Sequence, residues 1–101
     1  MVKIVSTNRA LNDLQEIADY ISRDSFQYAG ITLEKLIEAA SFIETNPFIG
    51  RKVPEINEAS IRELIVGSYR VIYKRVHQKQ VNVLTVHHSA RLLKKSAIKR
   101  R

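Results

Sequence analysis

Apolar residues in the first 45 positions recur with the spacing of one short strand and two amphipathic helices. Val2–Val5 is a run rich in β-branched residues that predicts the strand, and Ser6 or Thr7 can cap the helix that follows. Two apolar stripes at helical spacing predict the helices: Ala10, Leu14, Ile17 and Ile21 in the first, and Ala29, Leu33, Leu36, Ala40 and Ile43 in the second. Asp24 or Ser25 can cap the second helix, and so few residues separate the two helices that they must form an antiparallel hairpin.

The second half of the chain reads as a loop followed by three strands. Asn46-Pro47 ends the second helix, because the residue before a proline is pushed out of the α region, and residues 48–60 are predicted to be a loop. Three segments rich in β-branched and aromatic residues predict strands joined by short hairpin connections: Ile61–Val66, Tyr69–Val76 and Val81–His87. Ser89 can cap a short C-terminal helix through Lys95. The pattern predicts a single α+β domain over residues 1–101, in the order β-αα-βββ, with the helical hairpin packed on a mainly antiparallel sheet.

The strands are apolar on both faces, and this predicts that both faces of the sheet are covered. The helical hairpin can cover one of them. We therefore expect the C-terminal tail, a partner protein or a second copy to cover the other face.

The positive charge of the chain is concentrated in its second half. Residues 61–101 contain eleven lysines and arginines and one acidic residue, Glu63, whereas residues 1–60 contain six basic and nine acidic residues. This asymmetry favours an anionic partner such as nucleic acid or an acidic protein segment. The chain contains no cysteine and no apolar run long enough to span a membrane, so we expect a cytoplasmic protein without membrane association.

A series of short motifs gives the chain a family resemblance. The motifs are Ala10, Asp13-Leu14, Ile17 and Tyr20-Ile21, then Asn46-Pro47, Gly50-Arg51 and Pro54-Glu55, then Ile61-Arg62-Glu63-Leu64, Tyr69-Arg70-Val71-Ile72-Tyr73, and His87 with Arg91. In this order and spacing the chain resembles toxins of the RelE/ParE superfamily, the toxic halves of type II toxin–antitoxin pairs, and is closer to the ParE-like branch. The resemblance implies the same β-αα-βββ fold.

The resemblance leaves two functions open and implies partners for each. ParE-like members inhibit DNA gyrase by binding, which makes a gyrase–DNA complex the target. RelE-like members are ribosome-dependent endonucleases that cleave mRNA, which makes the ribosome and mRNA the partners. Either kind is neutralised by a cognate antitoxin, with which it can form a hetero-oligomer, and neither implies a cofactor or a metal. A third hypothesis is an intact fold that has lost its toxicity and only binds its antitoxin.

In the endonuclease alternative, the resemblance assigns roles to a small set of residues. Glu55 would be the base, Arg70 and Arg91 the cations for the phosphate, and His87 or His88 the acid. Strand alternation predicts that His87 shares a face with Val81 and Val83, that His88 shares the opposite face with Leu84 and Val86, and that they do not form a metal pair.

Each of these residues also has a structural interpretation. Arg70 can pair with a carboxylate such as Glu63, Glu55 can be a solvated loop residue, and either histidine can be a hydrogen-bonded part of the fold. The family's extra lysines are missing, with Glu63 beside Arg62, and its terminal tyrosine is replaced by Ser89 and Ser96. These absences favour the non-catalytic branch.

Binding of the anionic target is predicted to use the basic residues of the second half. The candidates are Arg62, Arg70, Lys74, Arg91, Lys94, Lys95, Lys99, Arg100 and Arg101.

Overall fold

The computed structural model describes residues 1–89, which form two helices and five strands. The elements are β1 (Lys3–Ser6), α1 (Asn8–Ser22), α2 (Phe26–Thr45), β2 (Arg51–Lys52), β3 (Ile61–Val66), β4 (Tyr69–His77) and β5 (Gln80–His88). The predicted C-terminal helix and the basic tail residues from Arg91 onwards lie outside the described residues. Within the described part, no helix is long and apolar enough to cross a membrane.

Both helices begin at side-chain caps that the sequence predicted. Thr7 Oγ1 accepts a hydrogen bond from the backbone N–H of Ala10 at 3.1 Å, and Ser25 Oγ accepts one from Tyr28 at 3.1 Å. The buried stripe of α2 differs slightly from the predicted one, since Thr32 and Ala39 are buried while the adjacent Leu33 and Ala40 are only half-buried. Helix α2 is therefore rotated slightly about its own axis relative to the orientation that apolar spacing alone predicted.

The five strands form one mixed sheet in the order β1-β5-β4-β3-β2. Strand β1 runs parallel to β5, and the other neighbours are antiparallel. The predicted α+β fold and the order β-αα-βββ are confirmed, with one addition in the predicted loop. Arg51 and Lys52 pair with Glu63 and Arg62 of β3, and two residues are too few to produce an alternation that sequence can reveal.

The two faces of the sheet carry separate apolar clusters. The cluster under the helices includes Leu36 and Ile43 of α2 with Val71 and Tyr73 of β4. The opposite cluster consists of Val53, Ile61, Ile72 and Leu84, with Ile56 packed against it.

The second cluster is covered by the chain's own loop after β2. The backbone N–H groups of Ile56 and Asn57 donate to Val53 O, at 3.0 and 2.7 Å, and so fold the loop over the sheet. The prediction named the tail, a partner or a second copy as the cover and did not include this loop; the tail itself lies outside the described residues. Apolar residues of a loop that folds back have no periodicity, so the sequence did not indicate them as a cover.

Candidate functional site

The loop-covered face of the sheet holds a buried ion-pair network around Arg70. This arginine is 7% exposed, and its Nε donates to Glu63 Oε1 at 2.5 Å. Its Nη1 and Nη2 donate to Glu55 Oε2 and Oε1 at 2.9 and 2.8 Å, a bidentate pair that ties the loop to β4. All three guanidinium nitrogens are therefore engaged by carboxylates.

A second arginine completes the network on the buried carboxylate. Glu63 is 1% exposed, and its Oε2 accepts a hydrogen bond from Arg51 Nε at 2.7 Å. The charges alternate in the order Arg51, Glu63, Arg70, Glu55. A buried carboxylate is stable only when it is paired, and pairing β2 with β3 places Arg51 directly opposite Glu63.

The network changes the acid–base properties of Glu55. Hydrogen bonding to Arg70 lowers the pKa of Glu55 to about 2, and the same pair raises the pKa of Arg70 above its usual value. An efficient general base has a pKa near the working pH, so a carboxylate with this pKa is a weak base. The geometry therefore supports the structural interpretation of Arg70, while Glu55 is a loop residue that pairs with Arg70 although its side chain remains 36% exposed.

A bulge in β5 decides which histidine lies near this network. Ile72 pairs with Thr85, but the next residue, Tyr73, pairs with Val83, so that Leu84 is an extra residue in β5. As a result, Val81 and Val83 join Val86 in the cluster under the helices. The predicted face was therefore wrong for His87 relative to Val81 and Val83, and for His88 relative to Leu84, because an inserted residue exchanges the faces of the residues that follow it. His88 does share a face with Val86, as predicted.

After the bulge, the two histidines lie opposite different residues of β4. His87 pairs in register with Arg70, on the loop-covered face. His88 pairs with Tyr69, and the two rings meet edge to face with centroids 5.3 Å apart. Of the two candidate acids, His87 is the one that pairs in register with Arg70, and Arg70 in turn binds Glu55.

A cleft of about 480 Å³ lies on the other face, between α1 and the ends of β4 and β5. Its lining includes Glu16, Tyr20 and Tyr69 together with both candidate histidines, His87 and His88. Asp13 also borders the cleft, where its Oδ2 accepts hydrogen bonds from Thr85 Oγ1 and from the Val86 N–H. Over residues 1–89, no group of three or more histidines and carboxylates could hold a metal ion.

The predicted target-binding cations do not form one group. Arg62 pairs with Tyr73 and lies on the helix side of the sheet, whereas Arg70 and Lys74 lie on the loop-covered side, where Lys74 pairs with Ile61. Arg62 donates to two backbone carbonyl oxygens, from Nε to Ala59 at 3.1 Å and from Nη1 to Gly50 at 2.9 Å. The other predicted cations, Arg91, Lys94, Lys95, Lys99, Arg100 and Arg101, lie outside the described residues.

Comparison with models of protein families identifies the family to which this chain belongs. The model of the ParE toxin of the type II toxin-antitoxin system, parDE, matches residues 4–93. The chain belongs to this toxin family. An antitoxin as its partner follows from this membership.

Two individual proteins are similar to the toxin over most of its length. Toxin RelE2 of Caulobacter vibrioides (strain ATCC 19089 / CIP 103742 / CB 15) is 36% identical over 92 residues, which cover 91% of this chain and 100% of the relative. A structure described as the chromosomal ParDE TA system from P. aeruginosa superposes with a TM-score of 0.70 at 20% identity, covering 87% of this chain and 96% of that one. The structural likeness supports the fold.

Sequence reasoning missed two residues that shape the toxin's sites. The sequence indicated Arg51 only as part of the Gly50-Arg51 motif. Its bond to Glu63 depends on strand β2, which was not predicted. Gly50 has a close-packed backbone, since a Cβ atom there would lie 2.5 Å from Glu63 O and 2.7 Å from Tyr73 Oη. Its N–H donates to Tyr73 Oη at 2.9 Å, and burial raises the pKa of Tyr73. The Gly50-Arg51 motif was thus a signal for a tight junction between the loop and the sheet.

Proposed function

We propose that this toxin acts by binding its target rather than by cleaving RNA, and that its target is a DNA gyrase–DNA complex. The observation that carries the proposal is the pairing of all three guanidinium nitrogens of Arg70 with the carboxylates of Glu55 and Glu63. An arginine whose three nitrogens already donate to two carboxylates has its positive charge neutralised within the fold, so this network must rearrange before that charge can serve a scissile phosphate. Glu55, with its pKa lowered to about 2, is in turn a weak base for the ribose hydroxyl.

A specific observation favours the alternative, a ribosome-dependent mRNA endonuclease. His87 lies on the same face as Arg70 and in register with it, and Arg70 binds Glu55, so the candidate acid, cation and base are neighbours. In that alternative the ribosome would have to rearrange the network, releasing Arg70 for the phosphate with Arg91 as a second cation. The relative at 36% identity is named Toxin RelE2.

The two functions separate in one set of assays on the wild-type toxin. Growth after induction, supercoiling by purified gyrase, and mRNA ends in a translating extract are measured side by side. We expect growth arrest with inhibited supercoiling and no new mRNA ends. New mRNA ends with normal supercoiling would establish the endonuclease instead, and no effect in any assay would leave a protein that only binds its antitoxin.

Variants of the candidate catalytic residues sharpen the test. Glu55→Gln, His87→Ala and His88→Ala are expected to leave growth inhibition largely intact, with His77→Ala at an exposed strand end as the matched control. Removal of a true general acid or base typically costs about 10²–10⁴-fold in rate. Loss of toxicity and of mRNA cleavage in His87→Ala alone, at normal protein abundance, would contradict the binding mechanism.

We also propose where the antitoxin covers the toxin. An apolar groove of about 370 Å³ lies between α2 and β3, lined in part by Phe42, Ile49 and Ile65, which are 57%, 47% and 50% exposed. Strand β2 pairs with β3 only at Arg62 and Glu63, so within the described residues the outer edge of Leu64–Val66 has no strand partner. Such an edge beside an apolar groove accepts an added strand.

This surface predicts the behaviour of the toxin without its antitoxin. The purified toxin should self-associate and bind hydrophobic dyes, because a contiguous exposed apolar patch is adhesive. Phe42→Ser with Ile65→Ser should weaken antitoxin binding, whereas Leu11→Ser, which removes a comparably exposed apolar side chain from α1, should not. A monodisperse toxin with unchanged affinity in the double variant would contradict this placement.

A further inference from the structure

A second cationic site surrounds Phe48, on the side of the sheet that the helices cover. The guanidinium carbon of Arg75 lies 4.6 Å from the centroid of the Phe48 ring, and that of Arg62 lies 5.5 Å from it. Phe48 nevertheless remains 60% exposed. Two arginines thus share one aromatic side chain that is still open to a ligand.

The fold brings these three residues together from distant parts of the sequence. The end of α2 at Asn46 and the turn after it place Phe48 beside the sheet, where Ile49 N donates to Asn46 O at 3.0 Å. Arg62 pairs with Tyr73, and Arg75 follows Tyr73 by two residues, so both arginines project from the helix side of the sheet. Lys52 pairs with Arg62 and adds a third cation to this face.

No carboxylate of the described residues neutralises the charges of Arg62 and Arg75. Among residues 1–89, the ion pairs involve Arg51 and Arg70 but neither Arg62 nor Arg75. Arg75 donates from Nη2 to the carbonyl oxygen of Gln78 at 3.0 Å, and Arg62 likewise donates only to carbonyl oxygens. These bonds orient the guanidinium groups while leaving N–H groups for an anion.

A small cleft next to the arginines has mostly apolar walls. Its volume is about 240 Å³, and Pro47, Phe48, Ser60 and Tyr73 are among the residues that line it. This is below the roughly 300–1,000 Å³ of pockets that enclose a whole drug-sized ligand. The cleft therefore fits one planar group of a larger ligand whose anionic part lies on the arginines.

We propose that this site, Lys52, Arg62 and Arg75 around Phe48, binds single-stranded nucleic acid, with one unpaired base against Phe48 and the neighbouring phosphates on the cations. An aromatic platform beside cations that follow the backbone is how proteins hold single strands without reading their sequence. An acidic peptide would satisfy the cations but has no planar base for the cleft. The site lies on the opposite face from Arg70, and the proposal does not depend on whether gyrase or the ribosome is the toxin's target.

The test measures binding of the full-length toxin to a short labelled oligothymidylate and to an abasic oligonucleotide with the same number of phosphates, over a series of salt concentrations. Phe48→Leu should weaken oligothymidylate binding by about five- to a hundredfold, the range for loss of one stacked base, and leave the abasic strand unaffected. Arg62→Gln and Arg75→Gln should weaken binding of both strands. Each should reduce the salt slope by about 0.7, the contribution of one phosphate contact on a single strand.

A matched control comes from an unrelated arginine–aromatic pair at the C-terminal end of α1. Arg23 lies 6.0 Å from the ring centroid of Tyr20, so Arg23→Gln and Tyr20→Leu remove the same chemistry elsewhere. Neither should change oligonucleotide binding, and circular dichroism should show that all variants are folded. Equal losses in Arg23→Gln and Arg75→Gln would overturn the proposal. So would unchanged oligothymidylate binding in Phe48→Leu, or a polyglutamate peptide that binds as tightly and depends equally on Phe48.

Discussion

Arg70 and Glu55 are joined by two parallel hydrogen bonds of 2.8 and 2.9 Å across 15 residues of sequence. The pair fastens the loop after β2 onto the sheet, while the Nε of the same arginine neutralises the buried Glu63. Replacing Arg70 would leave Glu63 with only Arg51, on a face shielded from water. A loss of toxicity in Arg70→Ala therefore reports on folding before it reports on target binding.

We predict that the Glu55–Arg70 pair stabilises the toxin in a pH-dependent way. The folded-state pKa of Glu55 is about 2 and its ordinary value is 4.5, so between these pH values the unfolded chain binds a proton that the folded chain does not. The contribution is full above pH 4.5 and is lost as the pH falls towards 2. Denaturation curves of wild type and Glu55→Gln should therefore differ at neutral pH and converge in acid.

An exposed glutamate in the same loop supplies the control for this pH effect. Glu58→Gln changes the net charge of the toxin as Glu55→Gln does, but it leaves the pair with Arg70 intact. It should alter stability little at any pH. A gap between wild type and Glu55→Gln that stays constant down to about pH 2 would show that the pair does not titrate as described.

We predict that Gly50→Ala destabilises the toxin, while Gly30→Ala does not. A Cβ at position 50 would lie under 3 Å from Glu63 O and Tyr73 Oη, and overpacking of this kind typically costs about 1–3 kcal/mol. A Cβ at position 30 meets nothing within 4 Å, and in a helix alanine is favoured over glycine by up to about 1 kcal/mol. Thermal unfolding of the two variants should shift in opposite directions. A Gly50→Ala variant as stable as wild type would mean that β2 can move away without cost.

We predict that Asp13 holds α1 to the bulge of β5. Asp13→Ala would remove the acceptor of the Thr85 hydroxyl and of the Val86 N–H, and a buried donor without a partner costs about 1–3 kcal/mol. Asp19→Ala, in the same helix, removes only an exposed bond to Gln15 and should cost much less. The measurement is the free energy of unfolding in urea. Equal losses in the two variants would assign the effect to the charge of the helix rather than to the bulge.

We predict that the basic tail contributes most of the salt dependence of DNA binding. Replacing Lys94, Lys95, Lys99, Arg100 and Arg101 by serine should flatten the slope of log affinity against log salt by several units, because each phosphate contact on duplex DNA contributes about 0.9. The measurement is titration of a labelled duplex at several salt concentrations. A slope equal to that of wild type would place the phosphate contacts elsewhere, for example on Lys52, Arg62 and Arg75.

Local sequence alone determined the described elements of this toxin except the two-residue strand β2. The caps Thr7 and Ser25, the break at Asn46-Pro47 and the strand Ile61–Val66 follow from backbone and side-chain preferences that act within a few residues. The connections from β3 to β4 and from β4 to β5 are so short that each pair of strands must be antiparallel neighbours. The fold class and the element order could therefore be predicted without any knowledge of long-range contacts.

Only the tertiary structure decided how the candidate residues are combined. The extra residue Leu84 in β5 reverses the faces of His87 and His88, and it arises from how β5 pairs with β4 rather than from any local pattern. The pair between Arg70 and Glu55, like the meeting of Phe48 with Arg62 and Arg75, joins residues whose distance is set by strand register and loop folding. Periodicity predicts which side of its own element a residue occupies, but the partner it meets there depends on packing across the whole sheet.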